Sequence, residues 1–128
     1  MFGNPLSAAA AQAALTEVLT PDAYGHASAL GKELADGIEQ AISNAGLPWT
    51  VIRFGPRSGQ WYGPMPRTGA QAYALTDGEL TRLLRVWLAN RGIWEALPGA
   101  GPTVPIPATQ ADAARYVTAY AGLLAELS

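Results

Sequence analysis

The sequence predicts an α+β domain of two layers, in which a small, mainly antiparallel sheet packs against helices. Several stretches combine a helix-capping residue with apolar residues spaced three and four apart, which is typical of amphipathic helices. Between them lie short runs of aromatic and β-branched residues bounded by glycine and proline, which favour strands. The predicted order is helix, helix, strand, strand, helix, strand, strand, helix. At 128 residues the chain provides one domain with a modest core.

The two helices predicted at the N-terminus begin with the same device. Asn4 and Thr20 are good capping residues, and each precedes a proline, whose missing N–H costs nothing in the first helical turn. The first helix, over residues 5–19, is rich in alanine, so it has high helix propensity but little apolar area to bury. The second helix ends at Gly46. Its apolar stripe contains Ala23, Ala27, Leu30, Leu34, Ile38 and Ile42.

Two strands are predicted next. Residues 49–54 are aromatic and β-branched, and Gly55-Pro56 ends the run. Residues 58–62 form a plausible second strand with a bulge at Gly59. The following stretch, 63–74, carries two prolines and further glycine and is expected to be a loop.

A third helix is predicted after this loop. Thr76 and Glu79 match a capping box, in which each residue satisfies a backbone donor of the other. The Asn-Arg-Gly sequence at 90–92 ends the helix. Its expected apolar face contains Leu80, Leu83, Leu84, Trp87 and Leu88.

The C-terminal part is expected to hold two short strands and a last helix. Ile93 and Trp94 begin one strand. Four prolines between Pro98 and Pro107 leave room only for a short edge strand around 104–106. Thr109, with Asp112 three residues later, caps a final helix that carries Ala113, Val117, Tyr120 and Leu124.

Composition excludes several classes of protein. The net charge is −2 and the eight basic residues are scattered, which argues against a nucleic-acid binder. Cysteine is absent, and His26, the one histidine, cannot build a metal site alone. No apolar run approaches the roughly 20 residues of a membrane span, and the N-terminus lacks a signal-peptide pattern. We therefore expect a soluble, cytoplasmic protein.

Five segments in a fixed order carry a resemblance to a known family. They are Gly3-Asn4-Pro5-Leu6, Leu19-Thr20-Pro21-Asp22-Ala23-Tyr24, Gly46-Leu47-Pro48-Trp49-Thr50-Val51, Gly55-Pro56-Arg57 and Leu88-Ala89-Asn90-Arg91-Gly92-Ile93. Over nearly its whole length the chain resembles class III (fold type I) pyridoxal-phosphate aminotransferases. The Leu-Pro-Trp, Gly-x-Arg and Asn-Arg-Gly sequences together look most like β-amino-acid aminotransferases. Glutamate-1-semialdehyde aminomutases are a close second.

The resemblance implies a division of the chain and an incomplete catalyst. Residues 1–20 correspond to an interdomain helix, and residues 21–128 to the C-terminal small domain, which helps bind substrate. In such enzymes the Schiff-base lysine, the acid that pairs with the pyridinium nitrogen, the ring-stacking aromatic and the phosphate-binding threonine lie upstream. The one lysine of this chain, Lys32, lies in a polar helical stretch. We therefore expect that this chain alone binds no pyridoxal phosphate. Its expected partner is a missing large domain or a second copy of the chain, with which it would form a homodimer.

A second function class stays open beside this one. The chain could instead be a free-standing binding or assembly module that has kept the small-domain fold and lost the chemistry. The reading frame upstream of Met1 would separate the two. An in-frame continuation that contains a phosphate-binding threonine and a lysine would indicate an enzyme fragment.

The resemblance makes Arg57 the main candidate for substrate binding. The family's Gly-x-Arg arginine can reach a substrate carboxylate, and a planar guanidinium donates two parallel bonds to such a group. Pro56 replaces the small residue expected before it. Arg67, in a Pro-Arg-Thr-Gly loop, could line the same entrance. The alternative for each is a solvent-exposed arginine without a binding role. No catalytic or metal-binding residue is assigned.

Other residues of chemical interest have simpler interpretations. Trp61 and Tyr62 could face substrate, but aromatic residues in a strand more often fill a core. His26 is expected to be a partly exposed bystander, since a catalytic histidine needs a partner. Lys32 lies beside acidic residues and is expected to stay charged at the surface.

Overall fold

Two long helices packed against each other form the frame of the protein, for which the computed structural model describes residues 4–96 and 101–127. The predicted α+β class is confirmed, with more helix and less sheet than expected. In the described ranges the helices are α1 (Pro5–Ala13), α2 (Pro21–Asn44), α3 (Gly69–Ala74), α4 (Gly78–Ala89) and α5 (Gln110–Leu127). The two strands are β1 (Thr50–Phe54) and β2 (Arg57–Trp61).

The core lies between α2, α5 and α4. Ile38 of α2, Leu88 of α4 and Tyr120 of α5 are completely buried, at 0% exposure. The apolar stripe predicted for the second helix is confirmed, because its members from Ala27 to Ile42 are all buried. The last helix adds buried Tyr116, Ala119, Leu123 and Leu124.

The first helix has the predicted cap but no buried residue. Asn4 Oδ1 accepts a hydrogen bond from the Ser7 backbone N–H at 2.7 Å. After Ala13 the helix widens into a π-helical turn, Ala14–Val18, which the Leu19 N–H closes onto the Ala14 carbonyl. The predicted span of 5–19 therefore holds, but its last turn is not α-helical.

The two strands form a regular antiparallel hairpin. Ile52 lies opposite Gly59, and Phe54 lies opposite Arg57 across a two-residue turn. The predicted bulge at Gly59 is wrong, because every residue of β2 has one partner in β1. Gly55 takes a positive φ of 56°, as the first central position of a type II′ turn requires, and this turn sets the register.

The region predicted as loop over residues 63–74 contains a helix. Thr68 Oγ1 accepts a hydrogen bond from the Gln71 N–H and starts α3, two residues beyond the last proline of the loop. Prolines before a helix set no obstacle to it, since the cap supplies the first acceptor. This part of the prediction was therefore wrong.

The next helix begins one residue later than predicted. Asp77 Oδ1, not Thr76, accepts the hydrogen bond from the Leu80 N–H at 2.9 Å. The Thr76 hydroxyl instead donates to the Tyr73 carbonyl at the end of α3. Leu83, assigned to the apolar face, is 43% exposed, so the buried stripe of α4 is narrower than the pattern suggested.

Neither of the strands predicted after α4 forms in the described residues. The Ile93 N–H closes the end of α4 by donating to the Leu88 carbonyl, so it is not free for a sheet. Residues 101–105, the strap, run beside β2. Only one bridge forms there, between Arg57 and Thr103, because the prolines of the strap lack N–H donors. Residues 98–100 of the predicted proline-rich stretch 98–107, and Gly3 of the first motif, lie outside the described residues.

The start of α5 matches the prediction. The Thr109 N–H donates to Asp112 Oδ2 at 2.9 Å, and the Asp112 N–H donates to Thr109 Oγ1 at 3.3 Å. The bonds from Thr109 hold the pKa of the Asp112 carboxyl below its usual range. None of the helices in the described ranges is long and apolar enough to cross a membrane.

Candidate functional site

Arg57 begins β2, directly after the hairpin turn, and is half-buried. Residues opposite one another in an antiparallel pair point to the same face, and so do residues two apart along a strand. Arg57 therefore shares a face with Phe54, Ile52 and Trp61. Phe54 is 83% exposed and Ile52 is 39% exposed. We call this group of four side chains the arginine face.

A groove of about 430 Å³ runs along the arginine face. Its lining includes the arginines Arg53 and Arg57, the polar residues Ser58 and Gln60, and the apolar residues Ile52, Phe54 and Trp61. Such a lining suits a ligand that has a carboxylate at one end and an apolar group beside it, because a carboxylate accepts two bonds from arginine while apolar walls exclude water.

The opposite face of the hairpin is anchored to α2. Arg53 Nη1 and Nη2 each lie 2.5 Å from a carboxylate oxygen, that of Asp36 and that of Glu39 respectively. Lys32 Nζ also contacts Asp36, at 2.7 Å. Hydrogen bonds from Lys32 and Arg53 lower the pKa of the Asp36 carboxyl. The side chains of Arg53 and Arg57 thus belong to opposite faces of one hairpin.

Arg67 lies in the exposed loop before α3. Its backbone N–H donates to Gln71 Oε1 at 2.8 Å, which helps to start the helix. Arg67 does not line the groove of the arginine face. The predicted shared entrance for Arg57 and Arg67 is therefore not a single groove in this structure, and a substrate role for Arg67 stays a prediction.

The two aromatic residues at the end of the hairpin have different surroundings. The Tyr62 ring packs edge-on against Trp49, with the ring centres 4.9 Å apart. Its hydroxyl is 3.2 Å from Thr81 Oγ1. Both Tyr62 and Trp61 are half-buried, and Trp61 lines the groove beside Arg57.

His26 has a structural partner that the sequence did not indicate. Its Nε2 lies 2.9 Å from the Ala108 carbonyl oxygen, so it ties α2 to the segment before α5. His26 and Ala108 are 82 positions apart in the sequence, so no local pattern could have shown this contact. In the described residues no group of three metal-ligating side chains forms.

The surroundings of Lys32 do not fit a covalently bound pyridoxal phosphate. A lysine that forms a Schiff base works in a buried setting that favours the neutral amine. The Lys32 side chain is 73% exposed and forms an ion pair with Asp36. As the chain has this one lysine, it offers no other residue for the linkage.

A buried polar pair, Tyr116 and Glu95, was not predicted from the sequence. The Tyr116 hydroxyl donates to Glu95 Oε1 at 2.5 Å, and Glu95 lines a cavity of about 250 Å³ with Gln60 and Thr81. Burial raises the pKa of the Glu95 carboxyl, against the effects of the Tyr116 bond and of the Arg85 charge. Burial also raises the pKa of Tyr116 well above its usual value. A glutamate between apolar residues was the available signal.

Comparison with known sequences identifies a set of enzymes. No family model matches the chain. The chain is 28% identical over 116 residues to the β-phenylalanine transaminase of Variovorax paradoxus, which covers 91% of this chain and 26% of that protein. It is 35% identical over 96 residues to the glutamate-1-semialdehyde 2,1-aminomutase of Thermus thermophilus, or 73% of this chain and 22% of that protein. The chain therefore spans about a quarter of these relatives.

Solved structures give the same result for the fold. A glutamate-1-semialdehyde aminomutase from Pseudomonas aeruginosa, solved in complex with PMP, superposes with a TM-score of 0.93 at 29% identity. The match covers 98% of this chain and 28% of that one. The β-phenylalanine aminotransferase of Variovorax paradoxus superposes with a TM-score of 0.81 at 27% identity, over 92% and 27% of the two chains.

The fold is thus that of the small domain of pyridoxal-phosphate enzymes. More specifically, the chain belongs to the class III aminotransferase family, and the resemblance seen in its motifs is confirmed.

Proposed function

We propose that this chain is the substrate-binding small domain of a class III aminotransferase or aminomutase that acts on an amino acid. The two candidate substrates are a β-amino acid and glutamate-1-semialdehyde, because the names of the relatives refer to such compounds. The observation that carries the proposal is the arginine face, on which one guanidinium lies among apolar side chains at the start of β2.

The proposed role of Arg57 is to bind and orient the substrate carboxylate. Two parallel N–H···O bonds fix both the position and the rotation of a carboxylate. Phe54 and Ile52 would offer apolar surface to the part of the substrate beside its carboxylate. Arg67 is a second candidate for the same carboxylate, from its own loop.

We also propose that the chain divides near residue 20. The helical segment before Thr20 buries no residue, whereas α2 buries eight. This contrast supports an interdomain helix over residues 1–20 and a small domain over 21–128. The exposed apolar residues of the first segment would then pack on a large domain or on a second copy of the chain.

The test of Arg57 uses an intact enzyme that contains this segment. Arg57→Ala should lower kcat/KM for a β-amino acid at least tenfold, because losing a charged hydrogen bond costs on the order of 1.5–3 kcal/mol. The decarboxylated amine should be affected much less, since it lacks the group that Arg57 binds. Arg57→Lys should restore little, because an ammonium cannot reproduce the planar fork.

Arg67→Ala tests the second candidate for the carboxylate in the same assay. Equal losses on the amino acid and the amine would show that Arg57 is structural. A larger selective loss in Arg67→Ala would move the carboxylate site to that loop.

We further propose that the chain alone forms no Schiff base with pyridoxal phosphate. The exposed, ion-paired Lys32 supports this. Purified protein mixed with pyridoxal phosphate should show the visible spectrum of the free cofactor. A stable new absorbance band that disappears in Lys32→Ala would contradict the proposal.

A further inference from the structure

The hairpin turn rests directly on α2 at Gly31. A Cβ atom added to Gly31 would lie 2.7 Å from Pro56 Cα and 2.9 Å from the Gly55 carbonyl oxygen. Both are backbone atoms, which cannot rotate away as the end of a side chain can. Any side chain at position 31 would therefore push the turn off the helix or the helix off its neighbours.

The helix has no room to move away from the turn. Leu30 and Leu34, which flank Gly31, are 3% and 4% exposed and pack in the core. Interiors packed to this degree respond to added volume by local shifts that cost energy. Gly31 is buried, whereas Gly55 of the turn is exposed, so the turn is the part that would move.

The strap holds the same turn from its other edge. The Ser58 N–H donates to the Pro102 carbonyl at 3.1 Å, and the Val104 N–H donates to the Pro56 carbonyl at 2.9 Å. Gly101 has a φ of +74°, and a Cβ there would lie 2.5 Å from Gly59 Cα. The start of β2 is thus enclosed between a glycine of α2 and a glycine of the strap.

Arg57 lies between the two residues that these contacts hold, Pro56 and Ser58. We propose that Gly31 is a positioning residue for Arg57: by admitting the turn into contact with α2, it fixes the backbone from which the guanidinium reaches the substrate carboxylate. This inference rests on the proposed function of Arg57. Displacements of about 1 Å at a binding group can lower rates by a large factor, so the contact between Gly31 and the hairpin turn matters for binding.

The backbone conformation at position 31 does not require a glycine. It lies within α2, where glycine is less favourable than alanine. Without the contact to the turn, Gly31→Ala should therefore stabilise the helix. A loss in this variant can be assigned to the contact.

The same helix supplies two matched controls. A Cβ at Gly25 would meet nothing within 4 Å, so Gly25→Ala tests helix propensity alone. A Cβ at Gly37 would lie 2.5 Å from Val117 Cγ2 of α5, away from the hairpin. Gly37→Ala therefore tests crowding of the core without a direct effect on the turn.

The first experiment is amide hydrogen exchange of the 128-residue chain by NMR. In Gly31→Ala the Ser58 and Val104 amides should exchange at least tenfold faster than in the unaltered protein, while core amides of α5 keep their protection. Gly25→Ala should leave both amides unchanged, and Gly37→Ala should not affect them selectively. Unchanged protection of Ser58 and Val104 in folded Gly31→Ala would overturn the inference.

If Gly31→Ala does not fold, the unaltered protein decides. The close approach requires a strong NOE between the Gly31 and Pro56 α-protons. The presence of this NOE supports the contact between Gly31 and the turn, and its absence overturns the inference.

The second experiment measures activity in an intact enzyme containing this segment. Gly31→Ala should raise KM and lower kcat/KM for the β-amino acid about tenfold, and should spare the decarboxylated amine. Gly37→Ala should lower Tm and act equally on both donors. If Arg57→Ala is selective and Gly31→Ala is not, the inference is wrong. If Arg57→Ala itself is unselective, the proposed function fails. The exchange result still tests whether Gly31 holds the hairpin turn in place.

Discussion

The first two helices begin alike and differ in everything that follows. Each starts with a capping side chain and a proline, Asn4-Pro5 in α1 and Thr20-Pro21 in α2. Yet α1 and the π-helical turn after it bury no residue, while α2 buries eight. Caps determine where a helix begins, but helical stability in proteins comes mostly from the packing of an apolar face.

The composition of the two segments explains the difference. The side chains of α1 are mainly alanines, which bury little area. The larger residues of this segment are exposed, with Leu6 of α1 at 81% and Leu15 of the π-helical turn at 67%. Isolated helices of this length are marginal in water even when they are rich in alanine. The first segment is therefore suited to a partner surface that the domain itself does not supply.

The largest expected effect is the difference in amide protection between the two helices. Core amides such as that of Ile38 should exchange only on global unfolding, whereas amides in α1 should exchange by local fraying. The rates should thus differ by several powers of ten in hydrogen-exchange mass spectrometry. Equal protection of both helices in a monomer would break the comparison.

A second copy of the chain offers the one expected exception. If α1 packs in a symmetric dimer that covers its apolar residues, its amides gain protection with rising protein concentration. Sedimentation velocity run on the same samples separates this case from fraying. A monomer at all concentrations, with strong protection of α1, would exclude both interpretations.

Truncation of one apolar side chain in each region is expected to have the next largest effect. Ile38→Ala should lower the free energy of unfolding by about 2–5 kcal/mol, because it opens a cavity in the buried stripe. Leu15→Ala should change it by less than about 0.5 kcal/mol, as is usual for an exposed side chain. Urea unfolding measures both. A cost above 1 kcal/mol in monomeric Leu15→Ala would show that this segment has a core after all.

The features that sequence reasoning predicted correctly are local ones. The caps at Asn4, Thr20 and Thr109 depend on residues within three positions, so the pattern was sufficient to find them. The α3 helix was missed because prolines in the loop before it suggested a longer break. Strands at 93–94 and 104–106 were wrongly expected because β-propensity does not show where backbone donors go.

The candidate site divides in the same way. The place of Arg57 after a turn was visible in the sequence, and so was its chemistry. Its apolar neighbours depend on strand register, which the two-residue turn sets and the sequence left open through the bulge assigned to Gly59. The contact of Gly31 with Pro56 joins residues 25 positions apart and could be found only in the fold.

Removal of the two caps should have a smaller but still different effect in the two regions. Thr20→Ala should lower the free energy of unfolding by about 1 kcal/mol, because α2 forms only with the whole domain. Asn4→Ala removes an equivalent bond, but from a helix that can unfold alone, so the global stability should hardly change. Circular dichroism should instead show less helix. Equal losses of global stability would mean that α1 folds together with the core.

The smallest expected effect concerns the charge of the buried Glu95 carboxyl. Burial raises the pKa of the Glu95 carboxyl above its usual value of 4.5, although the Tyr116 bond and Arg85 oppose this. Between 4.5 and the raised pKa the folded protein binds more protons than the unfolded chain, so this residue lowers stability as pH rises. Glu95→Gln should remove that decline and keep an acceptor for the Tyr116 hydroxyl. Tyr116→Phe removes the bond that opposes the shift, so its decline should be steeper. Urea unfolding from pH 4.5 to 8 gives the three profiles, and parallel profiles would show that Glu95 ionises as it does in the unfolded chain.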